Sequence, residues 1–215
     1  MIELGIPFSD PMADGPVIQR ASERALRHSF GIDDVLQVVS EARKETGVPI
    51  ILFSYFNPLM QFGIERLARE AKAAGVDGVL VTDLVPEEAA ELASILRSHD
   101  LDMIFLVAPT STDERLKMIA SQASGFIYAV SRAGITGACD QLSVEAEKLV
   151  DRVRRYSDLP VAVGFGISKP EHVHDVWRYA DAAVVGSALV SVIEESSSGS
   201  VAVSNVGQFV RQLLS

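Results

Sequence analysis

Seven short apolar runs alternate with helix-period segments, and that alternation constrains the fold of this chain more than any other feature. The runs cover residues 2–6, 49–53, 78–81, 102–106, 125–128, 161–165 and 182–185. Between them, apolar residues recur at helical spacing over 64–74, 86–97, 113–121, 144–156 and 170–179, with a last helix over 202–214. Side-chain caps fit three of these starts: Thr112 before Asp113, Ser143 before Val144 and Ser168 ahead of Pro170. Strands separated by helices of this length are βα units, which build a parallel sheet. The serine-rich stretch 196–200 reads as a flexible connector before the last helix. No domain boundary is visible, so residues 1–215 are expected to form a single domain.

Strand count alone leaves two architectures open. A closed barrel of βα units has eight strands, whereas an open doubly wound sheet does not need the eighth. The last two units bear on the choice. The run at 161–165 leads into Gly164-Phe165-Gly166-Ile167-Ser168, and that at 182–185 into Gly186-Ser187-Ala188. Glycine lets backbone amides approach an anion, and the helix that follows adds its partial positive charge. Barrels commonly bind phosphate with the loops after strands 7 and 8. The expected fold is therefore α/β, a (β/α)8 TIM barrel lacking its first βα unit, with seven visible parallel strands. Met1 then reads either as an internal methionine of a longer reading frame or as the start of a real deletion. Strand edges left open by such a deletion are expected to lower stability or to promote oligomerisation.

The front of the chain carries the acid–base candidates. In Ile2-Glu3-Leu4-Gly5-Ile6-Pro7-Phe8-Ser9-Asp10-Pro11-Met12-Ala13-Asp14-Gly15-Pro16, Glu3 interrupts an apolar run that reads as a buried strand. A carboxylate rarely sits there without a partner or a chemical task. Asp10 and Asp14 follow on the loop, ahead of the helix-start signal Gly15-Pro16. Alternatives stand beside each: Glu3 as a buried ion-pair member, Asp14 as a turn or cap, Asp10 as a turn former or partner contact. A second long connection runs from Tyr128 through Ser131, Arg132, Thr136 and Gly137 to Asp140. Its length and its small and polar residues fit a lid better than a tight turn.

Composition removes several classes. A formal net charge of −10 and a pI near 4.8 argue against nucleic acid or an anionic membrane as partner. No apolar run approaches the roughly 20 residues of a membrane span, and no secretory signal opens the chain, so the cytoplasm is the expected compartment. The single cysteine, Cys139, allows no internal disulfide, and the four histidines lack metal-ligand spacing and read as surface residues.

Three segments resemble one family, the tryptophan synthase alpha subunits. The 14-residue stretch from Glu3 to Pro16 resembles the family's signature. The stretch from Tyr128 to Gly137 resembles its active-site lid, and Gly164–Ile167 with Gly186-Ser187 its phosphate cradle. Ser54-Tyr55-Phe56-Asn57-Pro58 and Thr82-Asp83-Leu84 also fit. The resemblance covers essentially the whole chain; the family's first strand, with its pocket aromatic, and the helix after it have no counterpart.

The resemblance implies retro-aldol cleavage of indole-3-glycerol phosphate to indole and glyceraldehyde 3-phosphate. By the same analogy Glu3 is the general acid and base, its pKa raised by burial, and Asp14 accepts the indole N–H. Tyr128 would position the substrate and Tyr55 line the pocket. Thr136, Gly137, Gly166, Gly186 and Ser187 would complete substrate and phosphate binding. Asp10, Asp83 and Arg132 would couple to a beta subunit that carries pyridoxal phosphate, in an α2β2 complex. The alpha reaction itself is expected to need no metal or cofactor. Two other functions stay open: a non-catalytic alpha-like chain that binds and modulates the beta subunit, and another phosphate-binding barrel enzyme. Of the latter, indole-3-glycerol-phosphate synthase is disfavoured, because its chemistry calls for a strand-end lysine that no visible strand supplies.

Overall fold

The structure, a computed structural model, describes residues 1–130, 139–164 and 166–215, and of 139–143 the backbone alone. Among the described residues seven strands alternate with ten helices. The elements are β1 (Ile2–Gly5), α1 (Pro16–Arg27), α2 (Ile32–Arg43), β2 (Ile50–Ser54), α3 (Phe56–Phe62), α4 (Ile64–Ala74), β3 (Gly78–Val81) and α5 (Ala90–Ser98). They continue with β4 (Asp102–Val107), α6 (Asp113–Gln122), β5 (Ile127–Val130), α7 (Cys139–Val153), β6 (Val161–Gly164), α8 (Pro170–Val176), β7 (Ala182–Val184), α9 (Ser187–Glu194) and α10 (Gly199–Leu213).

The chain divides into two compact units. The first comprises Met1–Asp14, Gln19–Phe105 and Met118–Gly125. Here β1, β2, β3 and the first part of β4 pair in chain order and all parallel, with Glu3 opposite Ile51, Phe53 opposite Leu80, and Leu80 opposite Ile104. Parallel neighbours cannot be joined by a hairpin, so helices cross between them. Their cover buries the central strands on both faces, which is why β2 and β3 are apolar runs without alternation. Leu52, Val79, Leu80 and Ile104 are fully buried, with Val39, Leu59, Leu67 and Leu96 from the helices packed as deeply. Each such side chain stabilises by about 1.5–3 kcal/mol.

The second unit comprises Gly15–Ile18, Leu106–Lys117 and Phe126–Ser215. In it β5, β6 and β7 are parallel, Tyr128 lying opposite Ala162 and Gly164 opposite Val184. Both units fasten a strand start in the same way. In the first, Asp77 Oδ2 accepts the Ile50 N–H at 2.7 Å and pairs with Arg43; in the second, Asp181 Oδ2 accepts the Val161 N–H at 2.8 Å and pairs with Arg154. A strand's leading N–H that its neighbour does not reach is thereby satisfied.

Several boundaries depart from the sequence pattern, each for a local reason. β1 carries no fully buried residue: Ile2 is 46% exposed, and the buried position is Ile6, just beyond the strand. Among the described residues β1 pairs only with β2. β5 begins at Ile127 rather than 125, since Gly125 turns the chain with φ +71°. Tyr128 therefore sits second in the strand, not at its end. α5 starts at Ala90 rather than 86, because Glu88 and Ala89 bond back to Val85 and Pro86 in tight turns. α7 starts at Cys139, so position 143 lies within the helix rather than ahead of it. Thr112 does cap, accepting the Arg115 N–H at 3.3 Å. Ser168 does not: Lys169 holds the cap position of α8, and the Ser168 N–H donates to His172 Nδ1 at 3.3 Å. Stretch 196–200 is no free connector, since Ser198 caps α10 and Asn205 Nδ2 donates to Ser196 Oγ at 3.1 Å. Among the described residues no helix is long and apolar enough to cross a membrane.

Candidate active site

In the first unit, β1 carries Glu3, and the loop after β1 brings Asp14 against Tyr55 from the end of β2. Glu3 is the second residue of β1. Its Oε1 is buried and accepts no hydrogen bond from any described residue. Burial without a compensating partner disfavours the charged form, and pushes the Glu3 carboxyl up to about 7. A carboxyl group with that pKa can give a proton and take one back near neutral pH.

Asp14 closes the loop that follows β1. Pro11 C=O accepts the Asp14 N–H at 3.2 Å, and Gln19 Nε2 donates to the Asp14 carbonyl at 2.8 Å, so the backbone here is a fixed turn. The Asp14 side chain is half-buried. Burial raises its pKa, and a hydrogen bond from the Tyr55 hydroxyl opposes that rise. Tyr55 stands between β2 and α3 and is 3% exposed. Its hydroxyl also accepts the Ala13 N–H at 2.9 Å, and its ring lies 5.3 Å from that of Phe8. Asp10 is exposed in the same loop and accepts a hydrogen bond from the Ser9 hydroxyl.

Asp83, on the loop after β3, is exposed, and its Oδ1 accepts the Phe56 N–H at 2.7 Å. α3 has no side-chain cap from Tyr55, so the neighbouring loop supplies the acceptor for its first amide. That tie lies beyond local sequence patterns, because cap and helix are 27 residues apart.

In the second unit the candidate groups are backbone amides. Gly186 is the cap residue of α9 and Ser187 its first residue, both exposed. Leu189 and Val190 amides close onto the Gly186 carbonyl, leaving the earlier N–H groups of Ser187 and Ala188 outside the helical ladder and available to an anion. Gly166 has φ +73°. One strand back, Tyr128 occupies the space a Cβ would need at Gly164: its Cζ would be 2.6 Å from that atom. Gly164 therefore serves close approach of a side chain, a role the glycine spacing alone did not reveal. Thr136, Gly137 and Arg132 lie outside the described residues. Also missed from the sequence were Phe8, Ala13 and Thr82 as neighbours of the Tyr55 ring and hydroxyl. Among the described residues no cluster of three His, Cys, Asp or Glu side chains suits a metal ion.

Comparison with known proteins identifies the family. A family model described as tryptophan synthase alpha chain matches residues 1–213. The tryptophan synthase alpha chain of Solibacter usitatus is 46% identical over 213 residues, covering 99% of this chain and 80% of the relative. That of Roseiflexus castenholzii is 49% identical over 215 residues, covering 99% and 82%. Among solved structures, tryptophan synthase subunit alpha from Legionella pneumophila superimposes with a TM-score of 0.88 at 41% identity, covering 99% of this chain and 80% of that one. A chain from the tryptophan synthase α2β2 complex of Pyrococcus furiosus gives 0.89 at 42%, covering 99% and 85%. The seven parallel strands are thus those of a (β/α)8 barrel, and with the whole described length matched at this identity, the chain belongs to the tryptophan synthase alpha chain family.

Proposed function

We infer that this chain catalyses the alpha reaction of tryptophan synthase, cleaving indole-3-glycerol phosphate to indole and glyceraldehyde 3-phosphate. The observation that carries the residue assignment is Glu3, whose Oε1 is buried without a partner and whose carboxyl is pushed up to about 7. Glu3 gives a proton to the indole C3, and the ring nitrogen becomes cationic. Asp14 accepts the ring N–H and stabilises that charge. The Glu3 carboxylate then takes the proton of the glycerol hydroxyl on the carbon attached to C3. That carbon becomes the aldehyde carbon, and the electrons of the breaking C–C bond restore the aromatic ring. Glu3 ends protonated, ready for the next turnover.

Gly137, Gly166, Gly186 and Ser187 would hold the phosphate, supported here by the free amides at the start of α9. Tyr128 and Thr136 would position the substrate. Tyr55, assigned by resemblance to line the pocket, has its hydroxyl engaged by the loop carrying Asp14. Asp10, Asp83 and Arg132 would face the beta subunit. The partner is the tryptophan synthase beta subunit, in an α2β2 complex of the kind solved from Pyrococcus furiosus. Pyridoxal phosphate is assigned to that partner, and the alpha chemistry derived above uses side-chain proton transfers alone. We further propose that residues 1–215 work as one barrel domain in the cytoplasm, in keeping with a match over 99% of the chain and a biosynthetic role.

Indole release from indole-3-glycerol phosphate tests the assignment, measured with and without added beta subunit. Release that rises with the partner and is lost in Glu3→Gln supports it. Stimulation of the beta subunit without any release would assign this chain a regulatory role instead.

A further inference from the structure

Tyr55 is buried, and its hydroxyl is engaged by the loop that carries Ala13 and Asp14. The Ala13 N–H can only donate, and does so at 2.9 Å. An ionised Asp14 can only accept. The single phenolic proton is therefore directed at Asp14, while the oxygen lone pair holds Ala13. Thr82 adds a hydroxyl within hydrogen-bond reach of the phenol, itself anchored to the Ser54 carbonyl at 3.2 Å. Phe8, at the opposite end of the loop, rests its ring against Tyr55 with centroids 5.3 Å apart. One side chain rising from the end of β2 thus pins the loop after β1 at two places, residues 8 and 13–14.

We propose that Tyr55 is a positioning residue for the lyase reaction, fixing the Asp14 carboxylate so that one of its oxygens is left for the substrate's ring N–H. This rests on Asp14 acting as set out above. The phenol occupies part of the Asp14 acceptor capacity and orients what remains. Charge-assisted hydrogen bonds of this kind are short and directional, and their loss is felt most where charge develops. The cost of removing the phenolic oxygen therefore falls on kcat more than on KM. It also alters titration: Asp14 must be ionised to stabilise the cationic ring. Without the Tyr55 bond, burial acts unopposed, and the carboxylate is lost at a higher pH.

The test compares Tyr55→Phe, Asp14→Asn and the double variant in steady-state cleavage of indole-3-glycerol phosphate, with the beta subunit present, across pH. Tyr55→Phe is expected to lower kcat about 10- to 100-fold with KM little changed. The acid limb of kcat/KM should move to higher pH. On the Asp14→Asn background the same change should cost little more, because its effect runs through Asp14. Thr82→Val, which leaves the phenol in place, should move the acid limb the same way by less, and serves if Tyr55→Phe fails to fold. Equal losses of Tyr55→Phe on both backgrounds, or an unmoved acid limb in both variants, would overturn the positioning role and leave Tyr55 as packing. Full activity of Asp14→Asn would overturn the assignment of Asp14 itself, and with it the role of Tyr55.

Discussion

The two units carry opposite kinds of candidate groups. The first supplies side chains whose chemistry depends on burial: Glu3 with an unpartnered oxygen, Asp14 balanced between burial and the Tyr55 hydroxyl. The second supplies backbone, exposed at Gly186 and Ser187, and a glycine that admits the ring of Tyr128. A burial-tuned carboxyl is sensitive to the identity of one functional group. A backbone cradle is indifferent to side-chain chemistry but intolerant of added atoms. Substitutions in the two units should therefore fail in different ways.

The sharpest break of this contrast is Glu3→Gln, which keeps the shape and removes the titratable proton. General acid–base groups contribute about 10²–10⁴-fold, so kcat should fall by that order with KM little changed in the indole-release assay. In the parent enzyme kcat/KM should decline as pH rises through about 7, as the Glu3 proton is lost. Next comes Gly164→Ala. Its methyl group would collide with the Tyr128 ring, which must shift, and over-packing of this kind costs about 1–3 kcal/mol. Here the expected signature is a rise in KM and a lower melting temperature, without movement of the pH limbs.

Glu3 also separates activity from stability. Its folded pKa lies above its ordinary value, so the stability it contributes is fully present below about 4.5 and is lost as pH rises through about 7. Glu3→Gln should match the parent in denaturant melts at pH 4 and exceed it at pH 8, by about 3 kcal/mol. A variant less stable at pH 8 would show that Glu3 has an ionic partner after all. The smallest effect is expected at Asp83→Ala, where α3 loses the acceptor for its first amide. Chemical denaturation should register about 1 kcal/mol, with indole release by the chain alone nearly unchanged.

Legibility followed the range of the interactions. α4 at Ile64–Ala74 and β3 at Gly78–Val81 lie where the sequence pattern places them, because a helix with one apolar face and a strand buried on both faces declare themselves within a dozen residues. The start of β5 and the cap at Ser168 depart from the pattern where competing local bonds decide the boundary, at the turn of Gly125 and the Ser168–His172 contact. In the site, Glu3 was conspicuous because a carboxylate within an apolar strand violates the local pattern. The resemblance of the front segment then attached chemistry to it and to Asp14.

The sequence by itself determined the alternation of strands and helices and the family. Those properties reside in residue type and short spacing. Only the tertiary structure decided that Tyr55 turns its hydroxyl onto the loop 42 residues upstream, that Asp83 caps a helix it does not belong to, and that Gly164 yields its space to Tyr128. Each is a contact between neighbouring βα units, and parallel pairing places such partners side by side only after an intervening helix has crossed over.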